Sequence, residues 1–166
     1  LPFTINGENI AFGSINTKSK NLSKNLLGCK SVVVFAATLG IGVDSLILKY
    51  SHLEMSKAVI LQACAATVIE EYCDQCQKEI ENELKQQGLY LRPRFSPGYG
   101  DFDIINQTQF INMLETPKKI GLSVTDSLIL VPFKSVTAVM GISDTNEKCH
   151  IKGCEECGKK DCMFRR

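Results

Sequence analysis

Apolar and polar positions along the chain alternate with two different periods, and the two kinds of segment follow one another in no regular order. Asn6-Gly7-Glu8-Asn9-Ile10-Ala11-Phe12 predicts a turn followed by a short strand. Ser14 to Leu27 carries apolar residues at Ile15, Leu22, Leu26 and Leu27, which predicts an amphipathic helix capped by Ser14 and ended at Gly28. Cys29 to Thr38 is a continuous β-branched and apolar run, the pattern of a strand buried on both faces. The glycines of Leu39-Gly40-Ile41-Gly42 then predict a tight turn, since a full phosphate-binding fingerprint is lacking.

The strongest helical signal runs from Met55 to Gln87. Apolar residues recur at Met55, Val59, Ala63, Ala66, Ile69, Cys73, Cys76, Ile80 and Leu84, and Gly88 follows as the stop. Its first half is apolar nearly all round and its second half amphipathic and charged. This predicts a helix that enters the core and then emerges along the surface. Glu70, Glu71 and Asp74 fall at the switch, where periodicity alone assigns carboxylates to a solvated face.

Tyr90 to Asp101 holds two prolines and two glycines among arginine and aromatic residues, which excludes a helix and fits a central strand poorly. By its residues it is either a rigid surface turn or a turn that preorganises Arg94 and Tyr99 beside a bound molecule. An arginine there offers a planar fork to a carboxylate. Asp103 is placed to cap a helix through Glu115, ended by Pro117. Thr125 to Pro132 and Ser135 to Ile142 predict two strands joined as a hairpin by Pro132-Phe133-Lys134. Without a βαβ alternation, the expected fold class is α+β: a single domain with a mixed, largely antiparallel sheet flanked by helices, one of them long.

Composition adds limits. The 166 residues include 19 basic and 18 acidic side chains, a net charge of +1, which excludes a general polycation for nucleic acid or membrane surfaces. No apolar run approaches the roughly 20 residues of a membrane span. Leu1-Pro2-Phe3-Thr4 has neither the basic nor the apolar part of a signal peptide, and the lack of an initiator Met predicts a longer parent chain. The expected setting is cytoplasmic, with reduced cysteines.

Eight cysteines form two groups. Cys29, Cys64, Cys73 and Cys76 lie in apolar runs and are expected in the core. Cys73-Asp74-Gln75-Cys76 has redox-pair spacing but sits in a helix body, away from the helix N-terminus that lowers a thiol pKa. Cys149, Cys154, Cys157 and Cys162 are packed closely enough to wrap a zinc ion or hold an iron–sulfur cluster. The chain therefore divides into a domain over 1–146 and a cysteine-rich tail over 147–166.

Arg94-Phe95-Ser96-Pro97-Gly98-Tyr99 resembles the S-adenosylmethionine-binding Arg-x-x-Pro-Gly-Tyr turn of the activation domain of cobalamin-dependent methionine synthase. The similarity continues through Gly121 to Ser127, Pro132 and Ser135-Val136. The stand-alone form from anaerobic bacteria is more similar still, from Ala36 to the cysteine-rich tail. The resemblance implies cofactor contacts from Arg94, from Ser96 and Gly98 through their backbone, from Tyr99, and from Glu70 on the long helix. It implies reductive reactivation of a corrinoid-binding methionine synthase or related protein, with cobalamin carried by that partner. S-adenosylmethionine gives the methyl group and a flavodoxin or ferredoxin the electron. The family's Pro-Ala-Cys-Pro continuation is replaced here by Gly100-Asp101-Phe102-Asp103, and a family glutamate before the turn falls near Gly88. The contrasting expectation is a non-catalytic metal-binding adaptor or regulatory subunit whose working part is the tail.

Overall fold

The structure is a computed structural model that describes residues 1–145; the four tail cysteines and their expected metal lie outside the described residues. The chain opens with an antiparallel meander of β1 (Phe3–Asn6), β2 (Asn9–Phe12) and β3 (Ile15–Lys18). Ile15 pairs with Phe12 across the β2–β3 turn, so the expected helix from Ser14 is instead a strand up to Lys18. Only Lys20–Asn25 is helical (α1), and its cap is Ser19, whose hydroxyl accepts from the Leu22 N–H at 3.0 Å. Period-2 burial of Ile10, Phe12 and Ile15 outweighs the sparse helical spacing that Ile15 shares with Leu22.

The main sheet is built from β4 (Ser31–Thr38), β5 (Tyr90–Leu91) and β8 (Ser135–Ser143), in the order β4-β8-β5. β4 and β8 pair antiparallel over eight residues, from Ser31 with Ile142 to Thr38 with Ser135. Alternate side chains serve two cores. Val32 and Val139 pack with Ile10, Phe12, Leu22, Leu26, Phe102 and Phe110. On the other face Ala37 meets Ile69 and Cys73, with Phe35, Leu39 and Val136 around them. β4 thus lies between two packed layers, as its unbroken apolar run implies.

Between β4 and β5 run α2 (Ile41–Leu53), an element absent from the expectations above, and the expected long helix α3 (Met55–Lys85). The end of α3 is closed by N–H groups of Gly88 and Leu89 donating to Lys85 and Leu84, at 3.1 and 3.0 Å. Its first half does not enter the core. Ala58 and Ala65 are buried, but Met55, Val59, Ile60 and Val68 are exposed, and so is Cys64. Among the described residues that half lies chiefly against α2, with Gln62 also accepting from Lys134 Nζ at 3.5 Å, and one neighbouring helix covers one stripe of a helix that is apolar all round. Of the four cysteines expected inside, only Cys73 is fully buried, with Cys29 and Cys76 half-buried.

After the Tyr90–Asp101 segment, Asp103 caps a single 3-10 turn, Ile104–Asn106, by accepting from the Ile105 N–H at 3.0 Å. It leads into α4 (Gln107–Leu114). Pro117 does not end this helix. Glu115 breaks it with φ 52°, and Pro117 sits in the first turn of a new helix, α5 (Thr116–Ile120), where its missing N–H is harmless. The expected hairpin around Pro132-Phe133-Lys134 is also corrected. β7 (Leu130–Val131) pairs with β6 (Ser123–Val124), while β8 turns away to β4 and β5. Thr125 closes a turn over the intervening residues, with Thr125 N–H on Ile129 O and Leu128 N–H on Thr125 O, both at 2.9 Å. Every strand pairing among the described residues is antiparallel and the strands form three separate sheets, so the α+β class holds while the expected single mixed sheet is corrected. No described helix is long and apolar enough to cross a membrane.

Candidate functional site

Residues 90–95 run along the free edge of β8. After β5, the Arg92 N–H donates to Gly141 O at 2.7 Å, and Phe95 exchanges two 2.9 Å hydrogen bonds with Val139. Pro93 lacks a donor and sits exposed between them, which an edge position tolerates. Extended geometry sends neighbours to opposite faces. Phe95 goes into the core beside Phe102, with ring centroids 6.2 Å apart. Arg94 is therefore sent to the opposite face, under α3.

There the guanidinium meets three residues at one-turn spacing on α3. Arg94 donates through Nη2 to Asp74 Oδ1 at 2.7 Å and lies 3.5 Å from Glu70 Oε2, while Nη1 donates to Gln77 Oε1 at 3.0 Å. The Gln77 amide is oriented in turn by donating to Glu81 Oε1 at 2.9 Å. The Arg94 side chain is only 16% exposed, whereas those of Glu70 and Asp74 are 66% and 53% exposed. A stiffly held cation therefore stands beneath two solvent-facing carboxylates. Pairs this exposed contribute about 1 kcal/mol or less each to stability. Beneath them Cys73 has its thiol pushed up to about 11, chiefly by burial, with Arg94 pulling the other way and Glu70 reinforcing the rise.

The turn that follows is tied down by its own backbone. Gly98 N–H donates to Phe102 O at 2.8 Å, Tyr99 N–H to Ser96 O at 3.1 Å, and Phe102 N–H to Tyr99 O at 2.9 Å. Gly98 has φ +91°, and a Cβ there would come within 3.0 Å of Ile104 Cδ1. Gly100, at φ +55°, lies so close to the Asn21 side-chain amide that a Cβ would overlap it. Phe102 anchors the turn from below, 1% exposed and 6.2 Å from the Phe110 ring.

Asp101 joins this turn to α1. Its carboxylate accepts from Ser19 Oγ at 2.5 Å and from the N–H groups of Lys20 and Asn21 at 2.7 and 3.1 Å. Desolvation would raise its pKa. The hydrogen bonds from Ser19 and the two backbone amides outweigh that and hold it below the usual carboxylate value.

Of the residues singled out by sequence, Glu70 and Arg94 come together. Ser96, Gly98 and Tyr99 lie in the following turn, with Tyr99 69% exposed. Asp74 and Gln77 were missed as partners of Arg94, although their spacing with Glu70 aligns all three on one face of α3. Asp101 was missed as the link to α1. Among the described residues no cluster of three His, Cys, Asp or Glu side chains is arranged to hold a metal ion. Separately, a cleft of about 340 Å³ opens beside α3 between the end of β4, Tyr72, Cys76 and Ile120.

Comparison with known proteins places this geometry in a known fold. No protein-family model matches the chain, and no curated protein matches it. Among solved structures it is similar to the crystal structure of the MetH reactivation domain bound to AdoHcy, with a TM-score of 0.59 and 20% sequence identity over 79% of this chain. The match spans 44% of that chain's length. The described part of this protein has the fold of the MetH reactivation domain.

Proposed function

We propose that this protein binds S-adenosylmethionine and presents it to a corrinoid carried by a partner, reactivating a cobalamin-dependent methionine synthase or a related corrinoid protein. The observation that carries the proposal is Arg94: a nearly buried guanidinium beneath two exposed carboxylates, on the fold of a domain solved with AdoHcy. The donor set fits an amino-acid head group. Arg94 would hold the carboxylate, and Glu70 would attract the amino or sulfonium charge. Ser96 and Gly98 would contribute backbone contacts, and Tyr99 would line the site.

Bound there, the cofactor supplies an activated methyl group. The chain's own work is positioning. Arg94 is held by Gln77 and, until a ligand carboxylate displaces it, by Asp74, and the turn is braced by Phe102 and Asp101. No side chain has to move a proton in such a transfer. The electron that accompanies it would come from a flavodoxin or ferredoxin. The tail cysteines, Cys149, Cys154, Cys157 and Cys162, are proposed to hold zinc or an iron–sulfur cluster.

The test is a reductive-methylation assay with a cob(II)alamin-loaded methionine synthase, S-adenosylmethionine and reduced flavodoxin. Methylcobalamin should form with wild-type protein and not with Arg94→Ala. Equal rates with and without the protein would refute the proposal.

A further inference from the structure

Arg94 leaves the sheet edge at a β-bulge. Leu91 pairs with Ile142 and the Arg92 N–H meets Gly141 O, but Phe95 bridges to Val139, so Pro93 and Arg94 together oppose Met140. A bulge re-aims a side chain and takes its residue out of the ladder. Neither the N–H nor the C=O of Arg94 takes part in the pairing with β8. The direction of its guanidinium is therefore set by side-chain partners.

Those partners differ in kind. Asp74 and Glu70 are charged and more than half exposed, so water screens their contacts and lets them open. Gln77 and Glu81 are half-buried, and the bonds from Arg94 Nη1 to Gln77 Oε1 and from Gln77 Nε2 to Glu81 Oε1 measure 3.0 and 2.9 Å. A carboxylate accepts only from the NH₂ end of an amide, so Glu81 turns the carbonyl end of Gln77 towards the arginine. Being neutral, Gln77 holds the guanidinium without cancelling its charge. It engages Nη1, which leaves Nη2, the end bound by Asp74, for an arriving carboxylate.

Taking Arg94 as the group that holds the carboxylate of S-adenosylmethionine, as proposed above, we infer that Gln77 is the positioning residue of the site and that Glu81 acts through it. When Asp74 turns away, Gln77 keeps Nη2 in place for the ligand. Its neutrality keeps the charge of Arg94 available. Gln77→Glu would preserve the acceptor but add a third carboxylate to the arginine and set two like charges four residues apart on α3.

Titration calorimetry with S-adenosylmethionine on the full chain tests the inference. Gln77→Ala should weaken binding by at least ~5-fold, as expected for loss of a hydrogen bond to a charged group. Gln77→Glu should bind no better than Gln77→Ala. Glu81→Ala should also weaken binding, and Glu81→Gln should restore most of that loss, because its amide oxygen still accepts from Gln77. If Glu81 acts only through Gln77, the double variant Gln77→Ala, Glu81→Ala should bind as Gln77→Ala does. Wild-type affinity in Gln77→Ala or Gln77→Glu would overturn the inference while Arg94→Ala still loses binding. Additive losses in the double variant, or equal losses in Glu81→Gln and Glu81→Ala, would overturn it as well. No binding by wild type would instead overturn the S-adenosylmethionine reading, and the inference with it.

Discussion

Asp74 Oδ1 sits 2.7 Å from Arg94 Nη2, so the guanidinium proposed to hold a ligand carboxylate already has a carboxylate on it. Asp74 both orients the arginine and competes for it. Because Asp74 is 53% exposed, it can turn out to water at small cost when another carboxylate arrives.

Asp74→Asn should therefore bind S-adenosylmethionine several-fold more tightly, an effect of about 1 kcal/mol, with fold stability little changed. Glu70→Gln should weaken binding, since it removes attraction for the cationic part of the ligand. Titration calorimetry on the two variants separates the roles, and weaker binding by Asp74→Asn would show that its orienting part dominates.

Asp101→Ala should destabilise the domain by about 1 kcal/mol, the usual loss for a capping carboxylate. The pH dependence has a definite sign. The folded-state pKa of Asp101 is depressed, so its contribution is fully present above the unfolded-state value and disappears as pH falls through the folded-state value. Wild type and Asp101→Ala should thus converge in denaturant midpoint under strongly acidic conditions and separate above them. A constant difference at all pH values would contradict this assignment.

Phe102→Ala should cost about 3–5 kcal/mol, because it removes a ring that is 1% exposed and packed between Phe95 and Phe110. The same substitution should loosen the Arg94–Tyr99 turn before the whole domain unfolds. Hydrogen exchange at the Gly98 and Tyr99 amides would register this as faster exchange at temperatures where the circular dichroism is native.

Thiol labelling should distinguish the cysteines of α3. Cys64 is exposed, whereas Cys73 is buried with its thiol pushed up to about 11. At neutral pH an alkylating reagent should modify Cys64 well before Cys73, which should react only after unfolding. Peptide mapping by mass spectrometry reads the order directly.

The sequence exposed some of this organisation and hid the rest for physical reasons. Strand β4 and helix α3 were legible because their patterns are long: seven successive apolar or β-branched positions in one, eight turns of spacing in the other. The Ser14–Leu27 segment was misread because Ile15 suits both periods, and only pairing with Phe12 selects the strand. Pro117 looked like a stop, yet a proline suits the first turn of a helix equally well. Arg94 and Glu70 stood out individually through the resemblance of the turn and the long helix. Their contact, and the part taken by Asp74 and Gln77, depends on the edge of β8 passing beneath α3, which no local pattern encodes.

Titration of wild-type protein and Arg94→Ala with S-adenosylmethionine by calorimetry tests the central claim most directly. The expected result is saturable one-to-one binding by wild type, weakened at least ~10-fold in Arg94→Ala by loss of a charge-assisted contact. No binding by wild type, or equal affinity in the two proteins, would contradict the account.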